Sequence, residues 1–136
     1  RQMCIRDRYQ DIIHYKKNGC CALRFGIESG SQTMLDIMEK KFQVEDIKKA
    51  IFACYDNDLY SPPIGYMLGM PGEIIKTAME CGVMMGEISA KIGVPPSLLF
   101  GQIDPNYAIP LVGTPLYEYG RQLGLIGQNI DEEERQ

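Results

Sequence analysis

The chain reads as an α/β fold of parallel strands, about three βα units, on three observations. Residues 21–31 (CALRFGIESGS) alternate, with Leu23, Phe25 and Ile27 on one face and Arg24, Gly26 and Glu28 on the other, as side chains do across a strand. Residues 64–73 (IGYMLGMPGE) repeat the offer, with Ile64, Tyr66 and Leu68 opposite Gly65, Met67 and Gly69. A helix-sized stretch follows each, and strands joined by single-helix crossovers run parallel with right-handed connections. In a barrel of such strands, the carboxyl end is where active sites gather.

Taken in order, residues 9–18 form a helix end stopped by Gly19, followed by the strand that ends at Glu28. Ser29 and Gln32 stand at capping-box spacing before a short helix over 31–40. Residues 43–57 form a clearer helix, with Val44, Ile47, Ile51, Cys54 and Tyr55 as one apolar stripe. Pro62 and Pro63 enter the second strand at its amino end, where missing donors are tolerable. A helix over 73–91 carries Ile74, Ala78, Cys81, Met85 and Ile88 at helical spacing, and Gly93, Pro95 and Pro96 end it. Residues 97–103 (SLLFGQI) read as a third strand. The last helix has Thr114 as cap, Pro115 in its first position and Gly124 as stop.

Composition narrows the class. A chain of 136 residues buries roughly two thirds of its unfolded surface, enough for one core. With a net charge of −4 there is no basic patch to advertise nucleic-acid binding. No apolar run approaches the roughly 20 residues that span a bilayer, and no signal peptide is visible. Five cysteines, odd in number and with an adjacent pair, do not form a secreted disulfide framework, so a cytoplasmic protein is expected.

Three blocks in order, GIESGSQTML followed by a lysine at 40 or 41, YMLGMPGE, and PLVGTPLYEYGRQLGLI, bring a family into view. Over residues 19–126 the chain resembles the carboxyl half of a radical S-adenosylmethionine enzyme, of the subgroup that often carries an amino-terminal cobalamin-binding domain. The resemblance implies half of an open parallel (β/α)6 barrel, a partial TIM barrel. It also implies reductive cleavage of S-adenosylmethionine at a [4Fe-4S] cluster, yielding a 5′-deoxyadenosyl radical that abstracts hydrogen from a small-molecule substrate. The closing block is most similar to cobalamin-associated oxidative cyclases and methyltransferases. The family's cluster-binding C-x-x-x-C-x-x-C is absent, since Cys4, Cys20, Cys21, Cys54 and Cys81 nowhere give that spacing. The cluster ligands and the amino-terminal half of the barrel are therefore expected outside this chain. Residues 1–8 (RQMCIRDR) resemble translated sequencing-adapter read-through and are expected to be non-native, residues 9–127 to be the half barrel, and 128–136 to begin a further element.

The resemblance places cofactor contacts at Arg24, Gly26, Glu28 and Ser29 on the first strand, Gly65, Met67 and Gly69 on the second, and Gln102 on the third. An ionised carboxylate accepts strongly from ribose hydroxyls or an ammonium, which suits Glu28; read from the residues alone, Glu28 pairs with Arg24. Glycines on one strand face leave a shallow groove in which a flat ring lies against backbone. The motif's acidic residue would fall at Gly72, with Glu73 one later and read as a carboxylate on a helix's first turn. His14 reads as solvated, Cys54 and Cys81 as core, and the eight methionines mostly as adaptable core. Adjacent Cys20 and Cys21 point to opposite sides of a strand and so do not share a metal. The alternative reading is a binding or interaction module without catalysis, and an upstream cysteine triplet distinguishes the two.

Overall fold

Helix α1 (Tyr9–Lys17) buries Ile12 and ends where Gly19, at φ 87°, lets Cys20 N–H reach back to the Tyr15 carbonyl at 3.0 Å. The computed structural model describes residues 9–61, 65–95, 97–98 and 105–126; the expectations for residues 1–8, for Gln102 and for 128–136 lie outside them. Two compact units divide the chain, residues 1–106 and 107–136.

In the first unit the segment after α1 is extended and alternates as expected, Leu23, Phe25 and Ile27 buried and Arg24 exposed. It is tied in parallel to Tyr60 at one end and to Gly65, Tyr66 and Met67 at the other; residues 62–64, between these, lie outside the described residues. Leu23 N–H donates to Tyr60 O at 2.9 Å and Glu28 N–H to Gly65 O at 2.8 Å, with single bridges at Ala22–Tyr60 and Glu28–Tyr66. Helix α2 (Gln32–Ile37) follows a cap at Ser31, not Ser29. Its end is closed by Glu39 in the left-handed region, φ 55°, with Lys40 N–H donating to Leu35 O at 2.8 Å; a helix can end in this way without glycine at the cost of steric strain.

Helix α3 (Val44–Tyr55) begins where Gln43 N–H donates to Asp46 Oδ2 at 3.0 Å, and it buries Ile47, Ala50, Ile51, Ala53 and Cys54. Strand β1 (Tyr66–Leu68) follows, then α4 (Ile75–Ile92), which packs on α3. Strand β2 (Pro105–Tyr107) pairs in parallel with β1. The core gathers Ile12, the 23–27 segment, Leu35, the α3 stripe, Leu59 and Tyr66 with Met84, Met85 and Ile88 of α4.

These observations correct the expected fold. Among the described residues the one sheet has two strands, too few for a partial TIM barrel of three βα units. Side-chain alternation reports which face is buried; it does not report what the backbone pairs with. In the 21–28 segment Leu23, Phe25 and Ile27 are buried in the core, and parallel bridges are described at Ala22 and Glu28. Of the expected third strand, Ser97 and Leu98 are helical and 99–103 lie outside the described residues.

The stripe expected on α4 is also turned. Ile74 precedes the helix and is 58% exposed, Ala78 is exposed, and Thr77, Met84, Met85, Ile88 and Ser89 are buried. Apolar residues ring most of α4, so the buried face is chosen by what packs there: the Gly30 backbone lies against Cys81 and Met84.

Lys48 of α3 links the two helices, pairing with Glu45 and, at 2.8 Å, with Glu87 of α4. Hydrogen bonds to Glu45 first and Glu87 second raise its pKa above the ordinary 10.5. A folded-state pKa above the unfolded one gives stability that is complete below about pH 10.5 and is lost as pH rises through the folded value. Urea unfolding of the native chain and of Lys48→Met should therefore differ at neutral pH and converge on the alkaline limb.

The second unit holds α5 (Pro115–Gln122), and here the expected signals are found. Thr114 Oγ1 accepts from Tyr117 N–H at 3.3 Å, and its hydroxyl donates to Leu111 O at 2.7 Å. At the other end Gly124, φ 68°, allows Leu125 N–H to reach Gly120 O at 3.0 Å while its own N–H bonds Arg121 O at 3.0 Å, the double closure of a Schellman stop. Thr114→Ala should destabilise α5 by about 1 kcal/mol, read as faster hydrogen exchange at its amides with those of α3 unchanged.

Candidate functional site

Two of the three blocks that carry the resemblance meet at Glu28. Its N–H donates to Gly65 O and its carbonyl accepts from Met67 N–H, both at 2.8 Å, so the end of the first extended segment is stitched to the start of β1. Glu28 sits in the left-handed region, φ 63°, costly for a residue with a Cβ and found most often where surrounding structure holds a functional group in place.

Its carboxylate pairs with Lys40 at 3.1 Å, not with Arg24. Lys40 is delivered by the closure of α2, which turns the chain at Glu39 and returns it beside the segment that entered the helix. The Glu28 side chain keeps 17% of its surface in solvent and Lys40 keeps 32%, so the carboxylate has acceptor capacity beyond the lysine.

Gly65 and Gly69 flank β1 with φ of 75° and 80°, and a Cβ added at either would meet nothing within 4 Å. Backbone is therefore exposed beside Glu28, with Met67 between the glycines half-buried. Glu73 does not act on the first turn of α4: its Oε2 accepts from Gly69 N–H at 2.7 Å and closes the turn after β1. Tyr66 faces inward, its buried hydroxyl has no hydrogen-bond partner among the described residues, and burial, with a smaller contribution from Cys81, pushes its pKa well up.

The other predicted residues are dispersed. Ser29 is 4% exposed and turned inward, its Oγ 3.4 Å from Cys81 Sγ and accepting from Ser31 N–H at 3.1 Å. Gly26 is half-buried and Arg24 exposed on the face that carries Glu28. Cys81 also accepts from Gly30 N–H at 3.1 Å, and Ser31 bonds Glu80. His14 is exposed beside Asn18. Lysines stand at both 40 and 41, and the α2 turn decides that Lys40 is the one that meets Glu28.

The geometry offers a carboxylate acceptor fixed by a lysine, next to glycine backbone with open space. That fits the hydroxyls, ammonium and flat ring of S-adenosylmethionine. A cluster site is not found: Cys20, Cys21, Cys54 and Cys81 are free thiols, and among the described residues no group of three or more histidines, cysteines or carboxylates is placed to hold a metal ion. No helix among the described residues is long and apolar enough to cross a membrane. Comparison with protein-family models, with curated proteins and with solved structures finds no match to the chain.

Proposed function

We propose that this chain supplies part of the S-adenosylmethionine-binding surface of a radical S-adenosylmethionine enzyme, with Glu28, Gly65 and Gly69 as contacts. One observation carries the reading: Glu28 and the glycine strand, distant in sequence, are joined by two backbone hydrogen bonds and leave open space at both glycines. Glu28 would accept from ribose hydroxyls or the methionyl ammonium, and Gly65 and Gly69 would let the adenine approach backbone. Bound S-adenosylmethionine, with a reduced [4Fe-4S] cluster ligated from elsewhere, would supply the radical chemistry on a small-molecule substrate. The closing block extends the proposal to a cobalamin-associated cyclase or methyltransferase. For this chain's own residues, the proposal is one of binding and orientation.

Equilibrium dialysis of S-adenosylmethionine against the full chain tests it. Glu28→Gln should weaken binding about tenfold, in line with the loss of a charge-assisted hydrogen bond of about 1.5 kcal/mol. Lys40→Met breaks the same ion pair while keeping the carboxylate, so it should cost similar stability, under about 1 kcal/mol, and retain binding. No binding by the native chain, or equal loss in both variants, rejects the assignment.

A further inference from the structure

Helix α4 carries a second face that the first unit does not use. Ile75, Met79 and Val83, at i, i+4 and i+8, are 82%, 66% and 61% exposed. Gly82, Gly86 and Ala90 lie beside them, also exposed, and a Cβ added at either glycine would meet nothing within 4 Å. A glycine inside a helix costs about 1 kcal/mol against alanine, and no close packing among the described residues accounts for these two. The face borders a groove of about 520 Å³, walled on its other side by Gly30 and Val44, with Lys76, Glu80 and Glu87 along it.

We propose that a second copy of this chain docks here, α4 against α4 antiparallel, about a two-fold axis near Gly82. The face is polar in shape: its large side chains occupy the amino-terminal half and its small residues the carboxyl-terminal half. Antiparallel pairing sets Ile75 of one copy between Gly86 and Ala90 of the other and Met79 between Gly82 and Gly86, ridge into groove. Parallel pairing stacks bulk on bulk and leaves the glycines facing each other. Charge selects the same arrangement. Lys76 and Glu87 border one groove and stand at equal distance along the helix from the midpoint of Cys81 and Gly82. The two-fold therefore brings Lys76 of each copy to Glu87 of the other, a half-exposed carboxylate that also pairs with Lys48 of its own copy, whereas a parallel pair opposes like charges. Such an isologous contact uses one patch twice and closes as a dimer.

Sedimentation equilibrium of the full 136-residue chain should show a dimer. Val83→Glu and Gly86→Leu should each give a monomer at the same concentration with an unchanged circular dichroism spectrum; leucine is the better helix former, so loss of the dimer in Gly86→Leu reports contact and not unfolding. Lys76→Glu should weaken the dimer. In a Cys21→Ser background, Gly82→Cys should cross-link to its own copy on oxidation, and Ile75→Cys, whose two copies would stand about 20 Å apart at 1.5 Å rise per residue, should not. A native chain that stays monomeric, including one whose α4 face is covered by a different protein, overturns the proposal. So does a dimer that survives both Val83→Glu and Gly86→Leu, or cross-linking through Ile75→Cys in place of Gly82→Cys.

Discussion

Ile51→Ala should lower the free energy of unfolding by about 3 kcal/mol. Ile51 is fully buried on α3, the helix that contacts both α1 and α4. Removing its outer carbons loses their transfer energy and leaves a cavity that surrounding side chains refill only in part, and the two terms together reach about 2–5 kcal/mol. Urea denaturation gives the number directly, and a loss below about 1 kcal/mol would mean that α3 is not held between its two partners as described.

Gly30→Ala ranks second, at about 2 kcal/mol. A Cβ at position 30 would stand 2.8 Å from Cys81 Cα, 3.0 Å from Met84 Cε and 3.3 Å from Met84 Cβ. The methionine tip can swing away; the backbone of α4 cannot without shifting the helix against α3. Overpacking of this kind costs about 1–3 kcal/mol, and the hydrogen bond from Gly30 N–H to Cys81 Sγ would be stretched as well. Adding Cys81→Ala should not rescue the variant, because the obstruction is Cys81 Cα and not its sulfur. Rescue by that second change would show that the thiol, and not the helix backbone, sets the spacing.

Gly30 also shows where sequence reading runs out. It sits between Ser29 and Ser31 in a stretch that reads as a strand end entering a helix, and nothing local distinguishes a glycine required for a turn from one required for contact with Cys81, far along the chain. Ser29 was expected at a ligand and is instead sealed against the same cysteine. Glu28 was read with two partners, a cofactor or Arg24, and the structure supplies Lys40, brought back by a left-handed residue that is not glycine. Each depends on a contact made across a helix, to which spacing along the chain is blind.

Sequence alone determined what acts within a turn or two of itself. The alternation of Leu23, Phe25 and Ile27, the α3 stripe around Ile47 and Ile51, the Thr114 cap and the Gly124 stop all appear, since side-chain periodicity and capping hydrogen bonds are set by neighbouring residues. Tertiary structure decided which extended segments share a ladder, which face of α4 is buried and what the Glu28 carboxylate meets. Backbone pairing and helix orientation are settled by the surfaces that arrive from distant parts of the chain, and an apolar pattern that can be buried in several ways does not choose among them.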